Sequence, residues 1–188
     1  MSQNLRLYTR ALYGFDHVVR LAPPEAWSNE SPCEGWTARH VIGHVNAVQR
    51  YVESLIEGRE PTMSPMQDLE RNAGDDPAAT WAATLESLLA ALDQPGVLQR
   101  VVQSFWGEIT VDDGIGRLLG DVTIHSWDLA RAFGVDDRLD PILVEAVTAA
   151  MAPNADNLAS SGMFAARVDV GDDADAQAQL LAMSGRRP

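Results

Sequence analysis

Three residues in this chain could act together as a metal-ligand set. Asp121 and His125 are four residues apart in a stretch with helical periodicity. At about 100° per residue they differ by about 40° in direction, so both side chains point to one side of a helix. His44 falls among the apolar positions Val41, Val45, Val48, Val52 and Leu55 of another such stretch, facing a core rather than solvent. If the two faces meet, a neutral imidazole from one helix joins an acid–imidazole pair from the other. That is the three-ligand arrangement of a catalytic divalent cation, with further positions left for water or substrate. A buried carboxylate with no partner costs several kcal/mol, and a bound dication is one way to offset that.

Other readings of the same residues stay open. His44 could be a core histidine satisfied by a backbone carbonyl, and Asp121 with His125 a simple helix pair. His40 and His44 also have i,i+4 spacing and form a secondary candidate pair, although His40 lies in the first turn after Thr37. Asp128 either accepts a hydrogen bond from a ligand imidazole or pairs with Arg131, the reading preferred on spacing. Trp36 and Trp127 either wall a metal pocket or pack the bundle. Cys33, just before the second helix, could exchange with a small thiol, but a buried, inert cysteine is the preferred reading. His17, beside the first helix's stripe, reads as structural.

Composition narrows the chemistry. Of 188 residues, 14 are basic and all of these are arginine, against 27 acidic residues, for a net charge of −13. Without lysine there is no Schiff-base chemistry and no phosphate-binding Walker lysine. An acidic chain with no basic stripe is repelled by a phosphate backbone, so nucleic acid is not an expected partner. A single cysteine excludes an internal disulfide and a thiolate cage, leaving histidine and carboxylate as ligands. No apolar run approaches the ~20 residues that span a bilayer, so no membrane is expected. The opening MSQNLRLYTR lacks the pattern of a secretory leader, so a cytoplasmic protein is expected.

The elements that must position these residues are helical. Leu5, Tyr8, Leu12, Phe15 and Val19 mark a first helix over Gln3–Leu21, ended by Pro23-Pro24. Thr37 caps a second, running to Glu57 before Gly58. Arg59–Asp76 is polar and reads as a long surface loop. Asp76-Pro77 opens a third helix carrying Trp81, Leu85, Leu88 and Leu92, which stops at Pro95-Gly96. Val97–Thr110 reads as two short strands or an irregular crossing. A fourth helix spans Asp112–Phe133 before Gly134, and Asp140-Pro141 opens a shorter one to Met151. A strand over Phe164–Val170 and a helix over Ala174–Met183 complete the expectation. Four striped helices bury their stripes together as an all-α four-helix bundle, residues 1–134. Residues 135–188 form a small α/β appendage packed on it as one structural unit.

The stretches SPCEGWTARHVIGHV and DVTIHSWDLARAFG, with the closing LLAMSGR, resemble the mycothiol-dependent maleylpyruvate isomerase N-terminal family of the DinB-like superfamily, in its metal-binding branch. The resemblance covers nearly the whole chain. It implies a DinB-like four-helix bundle holding a divalent metal, typically zinc, on His44, Asp121 and His125. Asp121 stands where the isomerases carry glutamate and other DinB-like proteins histidine, one methylene shorter than the former. The isomerases also carry a larger C-terminal domain, where this chain has only residues 135–188.

The leading expectation is therefore a metal-dependent enzyme that activates a low-molecular-weight thiol such as mycothiol. The thiol would be transferred to a small electrophile, or would assist its isomerisation. Zinc is the default metal, and nickel, iron or manganese accept similar donors. One alternative is a hydrolase that attacks with metal-bound water. Another is a metal- or ligand-binding bundle without turnover. No catalytic side chain is assigned, the expected partners are the thiol and the electrophile, and a homodimer is left open.

Overall fold

The computed structural model describes residues 1–159, 164–171 and 173–188. Its core is four long helices: α1 (Gln3–Arg20), α2 (Ala38–Glu57), α4 (Pro77–Leu92) and α5 (Val111–Phe133). Between them lie the short α3 (Leu69–Ala73) and a hairpin of β1 (Val101–Ser104) and β2 (Gly107–Thr110). Beyond them come α6 (Pro141–Met151) and α7 (Ala176–Met183). The core is all-α, as the periodicity predicts, with the fourth expected helix appearing as α5. No helix among the described residues is long and apolar enough to cross a membrane.

Local chemistry sets the helix ends. The Ser2 hydroxyl accepts from Leu5 N–H and starts α1. Asp76, ahead of Pro77, does the same for α4, and Thr110 does so for α5. Thr37 caps α2 through His40 N–H, while the His40 ring accepts Thr37 N–H at 3.1 Å, a reciprocal box with an imidazole in the usual glutamate's place. Gly58 and Gly134 close α2 and α5 in the left-handed region.

The apolar stripes meet as one core. Tyr8, Leu12 and Phe15 of α1, Val41, Ile42 and Val45 of α2, Trp81 and Leu88 of α4, and Ile115, Val122 and Leu129 of α5 are all fully buried. Packing α1 and α2 against α5 brings the polar positions of α2 and α5 face to face. Val97–Thr110 resolves as an antiparallel hairpin that pairs Val101 with Thr110 and Ser104 with Gly107.

Two expectations need correction. Arg59–Asp76 is more than a surface loop, because α3 lies directly on α2. Gly43 makes that approach feasible: a methyl group there would sit 1.9 Å from the Leu69 carbonyl oxygen. Phe164–Val170 forms no strand. The two strands pair with each other, and the segment lies instead beside the end of α7, donating Val168 N–H to Ala182 O at 3.0 Å. An edge without a partner strand leaves β propensity with no ladder to join.

Alanine at position 43 gains about 0.5–1 kcal/mol of helix propensity but overlaps fixed backbone. The overlap dominates, so Gly43→Ala is expected to lower stability by about 2 kcal/mol in chemical denaturation. A midpoint equal to wild type would show α3 free to move aside.

Glu53 of α2 is buried, and burial alone would raise its pKa. Hydrogen bonds from Ser87 and Arg50, with the charge of Arg59 close by, outweigh burial and hold it below the ordinary value. A depressed folded-state pKa stabilises above the ordinary carboxylate range, and that stability is lost as pH falls through the folded value. Glu53→Gln should therefore cost about 1–3 kcal/mol at pH 7, with the deficit shrinking as unfolding is measured at progressively acid pH.

Candidate metal centre

The interior between α2 and α5 brings together the three residues singled out by their spacing. His44 and His125 are buried, and Asp121 keeps 25% of its side-chain surface exposed. One donor atom from each lies within 4.8 Å of the other two. His44 Nε2 is 3.0 Å from Asp121 Oδ1, and His125 Nε2 is 3.6 Å from the same oxygen.

Partners on the far side of each ring fix which nitrogen faces inward. His44 Nδ1 lies 2.7 Å from the Pro65 carbonyl oxygen, and His125 Nδ1 lies 2.8 Å from Asp128 Oδ2. A carbonyl and a carboxylate can only accept, so each Nδ1 carries a hydrogen and donates it. In the neutral rings both Nε2 atoms are then lone pairs aimed at a carboxylate. Three electron-pair donors this close repel unless a positive charge sits among them.

A proton can supply that charge. Burial opposes the charged form of both groups, but Asp121 outweighs it and raises the His44 pKa. His44 in turn leads the groups that hold the Asp121 carboxyl down to about 2, against its own burial. A divalent cation can supply the charge as well, and the donor set suits one. Two imidazole nitrogens and a carboxylate are first-rate ligands for a borderline dication. Asp121 Oδ2 is moreover buried without a hydrogen-bond partner among the described residues, an acceptor still open to a cation.

The surroundings hold the donors in place. Trp36 stacks on His125 at 5.9 Å and 13°, and meets His44 at 5.1 Å and 54°. The two imidazoles meet edge to face at 4.9 Å. Asp128 is fully buried, and its carboxylate also receives Arg186, with Nη2 2.8 Å from Oδ2 and Nε 3.3 Å from Oδ1. Burial would push the Asp128 pKa up, but His125 and Arg186 hold it below its ordinary value.

Several single-residue expectations change. Asp128 is the acceptor for His125 and makes no pair with Arg131, which binds Asp137 instead. Its burial and i,i+3 reach to His125 decide the matter. His40 is absorbed by its capping role, with Nε2 3.7 Å from Glu70 and away from the triad. Trp36 covers the site, whereas Trp127 is buried in the core beneath Arg131. His17 is exposed on α1. Burial pushes the Cys33 thiol up to about 11, so it stays protonated near neutral pH, in keeping with an inert cysteine. Sequence reasoning missed Pro65, which acts through its backbone. It also gave no role to Arg186, the last residue of LLAMSGR, which lies 58 residues beyond Asp128 and acts only through the tertiary fold.

Comparison with known proteins adds to this geometry. The model of the mycothiol maleylpyruvate isomerase N-terminal domain family matches residues 9–130. The chain belongs to that family. Two curated relatives, the uncharacterized proteins Rv0738 and MT0763 of Mycobacterium tuberculosis strains H37Rv and CDC 1551, are each 31% identical to it over 153 residues, covering 79% of this chain and 78% of theirs. Two crystal structures share the fold: mycothiol-dependent maleylpyruvate isomerase and a histidine-to-alanine mutant of it. Their TM-scores are 0.62 and 0.64 at 16% identity, over 79% of this chain and 68% of theirs. The helical core is thus the fold of the family, and His44, Asp121 and His125 all lie within the span of its model.

The Asp128–Arg186 pair allows a stability measurement. Asp128→Leu leaves a guanidinium buried with no counter-charge, at a cost of about 3–5 kcal/mol. Denaturant unfolding should show that loss, and a loss below about 1 kcal/mol would mean that Arg186 reaches water in the variant.

Proposed function

We propose that this chain binds a divalent metal through His44, Asp121 and His125. With it, the chain activates a low-molecular-weight thiol of the mycothiol type toward a small electrophile. The observation that carries the reading is the convergence of two Nε2 lone pairs on a carboxylate whose second oxygen is buried and unpartnered. Zinc suits the donors best by type, and nickel, iron and manganese accept the same set. A dication bound there supplies Lewis acidity, which favours the thiolate form of a thiol brought against it.

The chain's own groups do the rest. Pro65 and Asp128 hold a hydrogen on each Nδ1 and so keep both Nε2 atoms available as donors. Trp36 shields the imidazoles with an apolar plane, which strengthens electrostatic interactions beneath it. Asp121, the partly exposed member, marks the side from which a small molecule arrives. Cys33 is held as a thiol and the chain has no lysine, so neither offers a nucleophile. An external thiol fits a site built this way. In domain terms, residues 1–134 form the metal-binding bundle and 135–188 an appendage packed on it. The setting proposed is cytoplasmic.

Titrating the purified chain with zinc tests the reading. His125→Ala and Asp121→Ala should each weaken binding by more than the ~10–100-fold typical of losing a partner behind a ligand. Calorimetry should detect binding of a small thiol only to the metal-loaded protein. Unchanged metal content in His125→Ala rules out the ligand assignment. Turnover of an ester or amide without any thiol would replace thiol activation with hydrolysis.

A further inference from the structure

Arg186 closes the LLAMSGR stretch, but neither that resemblance nor the family model gives it a role. It lies outside residues 9–130, yet its side chain is buried against the fourth long helix. Its backbone is set by the end of α7. Arg186 N–H donates to Leu181 O at 2.9 Å and Gly185 N–H to Ala182 O at 3.0 Å, the paired bonds of a Schellman turn. Gly185 takes φ of +82°, where a Cβ would also lie 2.6 Å from that of Ala165. This turn reverses the chain and sends the guanidinium back into the bundle. There Nη1 donates to Ser184 O at 3.1 Å, while Nη2 and Nε fork onto the two oxygens of Asp128.

We infer that Arg186 is a positioning residue for the His125 imidazole, acting through Asp128, so that the segment beyond the family domain completes the metal centre. The inference rests on the metal reading above. A two-point guanidinium–carboxylate contact fixes the plane of the carboxylate as well as its position. Asp128 Oδ2 is thereby held 2.8 Å from His125 Nδ1, which fixes both the ring's rotation and the nitrogen that carries hydrogen. Without the fork, Asp128 is a buried carboxylate free to turn, and the Nε2 donor loses its aim. His44 serves as an internal control, because its ring is held by the Pro65 carbonyl on the other side of the site.

The test uses the full chain as wild type, R186Q, R186K and R187Q, the last changing an exposed neighbour. Zinc affinity is measured by competition with a chromophoric chelator. Imidazole nitrogen–proton NMR of the zinc-free proteins reports the hydrogen on each ring. R186Q should bind zinc about 10–100-fold more weakly, R186K should fall between it and wild type, and R187Q should match wild type. In the spectra, R186Q should lose the single Nδ1–H form of His125 while that of His44 persists. Wild-type zinc affinity in R186Q, or weakened affinity with an unchanged His125 signal, overturns the inference. Should R186Q fail to fold, R186K decides: wild-type affinity together with an unaltered His125 spectrum overturns it equally. If wild type itself binds no zinc, the metal reading fails, and the imidazole spectra alone judge whether Arg186 positions His125.

Discussion

Mutual repulsion among three lone-pair donors is the constraint around which this molecule is organised. Two imidazoles and a carboxylate are costly neighbours in a helical interior, and each imidazole is pinned from behind so that it cannot turn away. The Pro65 carbonyl holds one ring, Asp128 holds the other, and Trp36 lies over both. Relief comes only from a positive charge at the focus. The surrounding core of Leu, Val, Ile and aromatic side chains supplies the free energy that makes such an arrangement tolerable.

That constraint explains features that look incidental when taken singly. Within the segment between α2 and α4 the Pro65 carbonyl reaches His44, and Gly43, next to that histidine, is where α3 settles. Asp128 sits one helical turn beyond His125 and faces inward, at a depth where a carboxylate survives only with cationic help. The turn after α7 provides it. Residues from three well-separated stretches thus serve one cluster of about 5 Å.

Much of this could be read from residue order, and the limits have physical causes. Apolar stripes at three- and four-residue spacing located the long helices, since that spacing is the geometry of one helix face. Side chains such as Thr37, Asp76 and Asp140 marked the boundaries because they bond the first free amides of a helix. The inward direction of two stripes suggested the pairing of His44 with Asp121 and His125, and the resemblance of the motifs singled it out over the alternatives. Pro65 left no such mark, because its contribution is a backbone carbonyl that any residue could offer. Arg186 ends the LLAMSGR stretch, but its role left no mark, since a cation in a polar tail looks the same whether it meets water or a buried acid. The strand expected at Phe164–Val170 failed for a related reason: propensity describes a residue, whereas a strand requires a neighbour.

The turn at Gly185 also bears on how the molecule assembles. Synthesis runs from the amino end, so Asp128 exists before the guanidinium that neutralises it. Until that distal arginine docks, the inward face of α5 holds a carboxylate with no compensating charge. The final packing of the interior is therefore tied to a residue made well after α5, and the bundle cannot settle fully before that residue docks.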